Sequence, residues 1–209
     1  MSEVIVIASG KGGTGKTTVC ACLAVALAKA KNKVLIIDCD SGMRGIDMML
    51  GISDALVYDI SDIISGECTY TDALYRVEGD LELYSIAAPL YADDEVSPSL
   101  VKQLVGQVRE DFDYILIDTP PLSAAADVTT FMRFADKSFV VVRTDCVYTA
   151  DINDSLLSLK EKTDNFAGCI LNAVHREFSF LGQLGLDETG RYSRGGSDYG
   201  RYSRDTRHR

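Results

Sequence analysis

The nine residues Gly10-Lys11-Gly12-Gly13-Thr14-Gly15-Lys16-Thr17-Thr18 constrain this chain more than any other feature. They match G-x-x-x-x-G-K-[ST] and lie between a β-branched run, Val4 to Ala8, and a long helical pattern from Lys16 to about Lys31. That strand–turn–helix context is what gives the match its meaning. Glycines let successive backbone N–H groups curl around phosphate oxygens with no Cβ in the way. The helix that follows adds the partial positive charge of its N-terminus. Lys16 is then expected to reach the β- and γ-phosphates of a nucleotide, and Thr17 to ligate Mg²⁺. Gly12, Gly13, Thr14, Gly15 and Thr18 complete the expected cradle. The stretch also reads as G-x-G-x-x-G through Gly10, Gly12 and Gly15, the fingerprint of dinucleotide folds. Such folds have no use for Lys16, Thr17 and Thr18 at the helix start, so the phosphate-loop reading prevails.

Further nearly continuous apolar runs follow: Lys33 to Asp38, a weaker one at Leu81 to Ala87, Tyr114 to Asp118, Ser138 to Val142 and Phe166 to Leu171. Strands apolar on every residue are buried on both faces, as in parallel sheets. Helical patterns alternate with them: short ones around 54–65 and 70–76, one opened by Ser97 and Pro98, one near 127–135 and one over 150–162. The expected architecture is an α/β sandwich, a mostly parallel open sheet with helices on both faces and right-handed crossovers.

Asp38 and Asp40 follow the second strand, and Asp118 ends the run YILID. Ligands of open parallel sheets sit outside the carboxyl ends of the strands, so the three carboxylates should share an edge with the phosphate loop. Asp118 suits a Mg²⁺-binding acid, Asp38 a second one, and Asp40 a group that positions or deprotonates a nucleophile. A single strand-ending Asp more often only caps a turn; it is the convergence of three that points to function.

Charge sorts the remaining classes. The chain of 209 residues carries 21 basic and 31 acidic side chains. From Gly190 onward six arginines face two aspartates, with three tyrosines, four glycines and no Leu, Ile or Val. That tail is therefore +4, which leaves −14 of the chain's net −10 on residues 1–189. So acidic a body repels phosphate backbones, which argues against nucleic acid as the partner, although the Arg-Tyr pairs of the tail would stack on exposed bases. A tail of this composition buries too little apolar surface to fold alone. The longest apolar run, Val19 to Ala28, has ten residues, against ~20 for a membrane span. The N-terminus has no basic flank of a signal peptide. Six cysteines without a C-x-x-C pair read as reduced core residues of a cytoplasmic protein. The expected organisation is a nucleotide domain over 1–175, a docking segment over 176–189 and the tail over 190–209.

The second lysine of KGGTGKTT, Lys11, makes the loop resemble the deviant Walker A motif of the MinD/ParA group of P-loop ATPases, which have a SIMIBI-like fold. The segments Val34–Asp47 and Val57–Glu67 resemble the same group. This resemblance implies Mg²⁺-ATP hydrolysis, an ATP-dependent homodimer acting in positioning or partitioning, and an activating protein partner. It also implies peripheral membrane association through a partner. On this model Lys11 reaches the partner subunit's phosphates, Asp40 positions the attacking water, and Asn172 meets the adenine. The second half (FDYILIDTPP, FVVVR, CILNAV) and the tyrosine-bearing tail resemble bacterial tyrosine kinases of the CpsD/CapB type, linked to exopolysaccharide synthesis. That alternative makes Tyr192, Tyr199 and Tyr202 phosphate acceptors. A third reading is a non-enzymatic adaptor.

Overall fold

The computed structural model describes residues 2–91, 96–121, 128–144, 157 and 159–174. They lie almost wholly in one compact unit, Met1–Asn172. The expected docking segment 176–189, the tail 190–209 and most of the helix expected over 150–162 fall outside the described residues.

Seven strands form one sheet: β1 (Glu3–Ser9), β2 (Val34–Asp38), β3 (Tyr75–Arg76), β4 (Leu83–Ile86), β5 (Tyr114–Asp118), β6 (Lys137–Arg143) and β7 (Phe166–Asn172). Their order is β3-β4-β2-β5-β1-β6-β7. Every pairing is parallel except β3 with β4. Among the described residues, α1 (Lys16–Lys29), α2 (Gly45–Leu50), α3 (Ile60–Ser65), α4 (Pro98–Val108) and α5 (Val128–Phe134) accompany them, and residues 159–162 are helical as well.

The two-residue period of a strand divides the core into two layers. Val4, Val6, Ala8, Leu35, Ile37, Ile115 and Ile117 face one side, where α3, α4 and α5 bring Ile60, Val101, Leu104, Val105, Val108, Phe131 and Met132. Ile5, Ile7, Val34, Ile36 and Leu116 face the other, against Cys20, Ala21, Ala24 and Ala28 of α1 and Ile46 of α2. The small residues on α1 let its axis lie close to the sheet. That proximity brings the helix N-terminus to the carboxyl edge of β1.

Register places the acids. Asp38 of β2 and Asp118 of β5 are direct partners across the ladder, and Asp118 is also level with Ile7 of β1. Both carboxylates therefore emerge at one edge, beside the loop that leaves β1.

Three local expectations give way. The helix expected at 70–76 ends instead in β3, antiparallel to β4, with Tyr75 opposite Ser85. The Tyr75 hydroxyl accepts the backbone N–H groups of Val57 and Tyr58, and Arg76 pairs with Glu82 at 2.6 Å. These long-range partners override local helix propensity. The stretch 54–65 divides into a single 3₁₀ turn, Ser53–Ala55, and α3, which Asp59 opens with a capping box. The cysteines are not uniformly core: Cys20 and Cys39 are buried, whereas Cys22 and Cys169 are exposed.

Phe131 is among the largest fully buried side chains. Phe131→Ala should lower the unfolding free energy by ~3–5 kcal/mol, and Met48→Ala on the exposed face of α2 by less than ~0.5 kcal/mol. Urea unfolding followed by circular dichroism measures both.

Candidate nucleotide and metal site

Residues 10–15 leave β1 and enter α1 through Gly15, whose φ of 89° is left-handed. Glycine is required there twice over. Other residues disfavour that φ, and a Cβ would sit 2.1 Å from Nδ2 of Asn172. The loop borders a cleft of ≈ 650 Å³, which Gly12, Gly13, Thr14, Gly15, Lys16, Thr17 and Thr18 line together with Asp40. The expected cradle residues thus share one cavity.

Lys16 is the cation at its floor. Its Nζ lies 2.7 Å from Oδ1 of Asp118 and 3.3 Å from Oδ2 of Asp40. Burial works to lower its pKa, but the Asp118 carboxylate, helped by Asp40 and Asp38, outweighs burial and holds the ammonium above the usual lysine range. Asp38 and Asp118 are fully buried. Asp38 Oδ1 accepts the Asp40 N–H at 2.9 Å. Burial, reinforced by the Asp118 charge, pushes the Asp38 carboxyl up to about 8. Burial also raises Asp118, against the opposing pull of Lys16 and a hydrogen bond from Thr17.

Two carboxylate oxygens at this edge have no hydrogen-bond partner among the described residues: Oδ2 of Asp38 and Oδ2 of Asp118. Buried, unpaired carboxylate oxygens are costly unless something cationic meets them. Hard oxygen donors beside a threonine hydroxyl are the ligand chemistry of Mg²⁺. Among the described residues no cluster of three or more acidic, cysteine or histidine side chains is arranged to hold a metal alone. Thr17, Asp38 and Asp118 offer the oxygen donors that Mg²⁺ would take.

The other expected residues divide. Asp40 has joined the site through Lys16. Lys11 is exposed, and its ammonium makes no ion pair among the described residues. Asn172 sits at the end of β7 and donates from Nδ2 to the Thr14 carbonyl at 2.8 Å. Its ring-side role toward an adenine is not part of the cleft lining.

Sequence reasoning missed α2. Arg44 precedes it in the left-handed region, at φ 43°, and its Nε lies 3.0 Å from Oδ2 of buried Asp47. At Gly45 a Cβ would lie 2.9 Å from the Thr17 methyl, so glycine lets α2 rest on the loop. This helix brings Met48 and Met49 to the cleft, where Met43 of the preceding turn joins them, with exposures of 69%, 46% and 70%. A six-residue helix opening on glycine has little periodicity to detect. Arg143, which reaches the loop from β6, ends the run FVVVR in the sequence, and that run assigns it no role at the site.

Comparison with known proteins agrees with this geometry. The family model described as AAA domain matches residues 2–165. The septum site-determining protein MinD of Bacillus subtilis is 35% identical over 167 residues, which cover 79% of this chain and 62% of that protein. The chain thus spans less than two thirds of that relative's length. The MinD of Pyrococcus horikoshii, solved in complex with Mg-ADP, superposes with a TM-score of 0.72 at 27% identity, covering 90% of this chain and 78% of that one. The kinase domain of the Escherichia coli tyrosine kinase ETK gives a TM-score of 0.69 at 23% identity, over 85% and 70% of the two chains, a likeness of fold.

The unpaired carboxylates make a prediction about stability. A group raised to about 8 from an unfolded value of 3.8 contributes fully below pH ~4 and loses that contribution as pH climbs toward 8. In EDTA and without nucleotide, Asp38→Asn should therefore melt higher than the parent, with a larger gain at pH 8 than at pH 5. Thermal unfolding at the two pH values reads the difference, and an unchanged or lowered melting temperature at pH 8 contradicts it.

Proposed function

The chain belongs to the AAA-domain family of MinD/ParA-type P-loop ATPases, and on that premise we propose that it binds Mg²⁺-ATP in the cleft of residues 10–18 and hydrolyses it as an ATP-dependent dimer switch. The observation that carries the proposal is the pairing of Asp38 and Asp118 in register, each with a buried, unpartnered oxygen beside Lys16 and Thr17.

Gly12, Gly13, Thr14, Gly15 and Thr18 present backbone amides to the phosphates. Lys16 exchanges part of its carboxylate pairing for the β- and γ-phosphate oxygens. Thr17, Asp38 and Asp118 hold Mg²⁺, which when bound neutralises charge on the phosphate oxygens. Asp40, partly exposed at the cleft, orients a water for in-line attack on the γ-phosphorus and accepts its proton as the bond to ADP breaks. Asn172 uses one N–H of Nδ2 on the Thr14 carbonyl and keeps Oδ1 and the second N–H for an adenine. Lys11, which makes no ion pair among the described residues, reaches the phosphates of the second protomer, so that ATP itself joins the two. Loss of the γ-phosphate removes that contact and releases the pair. Cellular positioning or partitioning, an activating partner and attachment to a membrane through that partner belong to the same reading. No described helix is long and apolar enough to cross a membrane.

A second reading has one observation in its favour. Met43, Met48 and Met49 form an exposed apolar lip on the cleft, and polarisable thioethers suit an aromatic side chain. A tyrosine from another copy, Tyr192, Tyr199 or Tyr202, would then replace water as the acceptor. Its phenolic oxygen would attack the γ-phosphorus and pass its proton to Asp40. This would be tyrosine autophosphorylation of the CpsD/CapB type.

Lys11→Ala should retain ATP binding within about twofold yet lose ATP-dependent dimerisation. Light scattering behind a sizing column with Mg²⁺-ATP measures this, and an undiminished dimer contradicts the trans role. Incubation with γ-labelled ATP separates the two acceptors. Label released as free phosphate supports hydrolysis, whereas label held on the full chain but not on a 1–189 truncation supports the kinase.

A further inference from the structure

The last two strands of the sheet touch the phosphate loop from outside the cleft. Arg143 and Asn172 are direct partners at the carboxyl ends of β6 and β7. Arg143 donates from Nη1 to the Gly13 carbonyl at 3.2 Å, and Asn172 donates from Nδ2 to the Thr14 carbonyl at 2.8 Å. Two neighbouring side chains thus hold two consecutive carbonyls of the loop. Neither residue is among those that line the cleft.

A trans peptide carries its C=O and the following N–H on opposite sides of one plane. Fixing the Gly13 oxygen toward β6 therefore turns the Thr14 N–H away from β6. Fixing the Thr14 oxygen toward β7 likewise turns the Gly15 N–H away from β7. Those two amides belong to residues that do line the cleft. Glycines leave such planes free to rotate, so an anion-binding loop rich in them needs an outside restraint to be pre-organised.

We propose that Arg143 and Asn172 are positioning residues that brace the phosphate loop from behind, orienting the Thr14 and Gly15 amides for phosphate before any nucleotide arrives. The brace acts on phosphate recognition whatever base the nucleotide carries. It explains why Gly15 must lack a side chain, because a Cβ there would displace the Asn172 amide. It rests on the nucleotide-binding reading above, and the wild-type chain tests that reading separately.

The experiment compares full-length wild type with Arg143→Met, Asn172→Ala and the more conservative Asn172→Ser, each checked for an unchanged melting temperature. Calorimetry measures affinity for ATP, GTP and inorganic tripolyphosphate, all with Mg²⁺. Hydrogen exchange of the Thr14 and Gly15 amides is followed without ligand. Each brace variant should weaken all three ligands by a similar factor, about five- to tenfold, and speed exchange of both amides. Failure of the wild type to bind any of the three overturns the nucleotide reading itself. If Asn172→Ala weakens ATP alone and spares tripolyphosphate, Asn172 reads the base and the brace is wrong. Unchanged amide exchange in both Arg143→Met and Asn172→Ala overturns it as well. If the loss in Arg143→Met disappears at high salt, Arg143 acts by charge on the phosphates, and its half of the brace falls.

Discussion

Two fully buried acids, Asp38 and Asp118, are partners in register, and among the described residues one ammonium, that of Lys16, pairs with Asp118. That imbalance governs the molecule. A core would be more stable without it, since a buried unpaired carboxylate opposes folding. The parallel register of β2 and β5 fixes the two acids level with each other. Asp118 is joined to the first turn of α1 through Lys16. A site of this kind is completed by a divalent cation and the phosphates that come with it, and without them it stores a cost.

The loop itself is held on three sides. Beneath it, Lys16 is anchored to Asp118 and Asp40. On one flank α2 rests on Thr17 through Gly45. On the other, Arg143 and Asn172 pin two carbonyls. Each of these supports comes from an element distant in sequence, so a loop that is locally pliable becomes rigid only in the folded domain. Rigidity of this sort lowers the cost of binding an anion, because the amides do not need to be ordered at the moment of encounter.

Much of this could be read before any coordinates. The apolar runs that became β1, β2 and β5 are buried almost throughout, as strands covered on both faces should be, whereas β7, also read from an apolar run, alternates half-buried with exposed residues. The phosphate loop was legible because glycine, lysine and threonine at fixed spacing have no packing role to explain them. The placement of Asp38, Asp40 and Asp118 on one edge followed from parallel strands alone. What stayed hidden depended on partners far along the chain. β3 owes its existence to β4, against its own local pattern. α2 is too short, and opens on too poor a helix former, to announce itself. Arg143 looks like any arginine ending a strand, and its importance lies in a carbonyl 130 residues away. Cys22 and Cys169 show the converse error, since composition alone says nothing about which face of an element a residue occupies.

The central claim is that Asp38 and Asp118 wait for a metal that arrives with a nucleotide. Titration of ATP into the purified chain, once with Mg²⁺ and once with EDTA, tests it most directly. The account requires Mg²⁺ to tighten ATP binding by at least about tenfold, roughly the worth of one charge-assisted contact, and requires that gain to vanish in Asp118→Asn. Equal affinity with and without the ion, or a gain that survives the substitution, would contradict it.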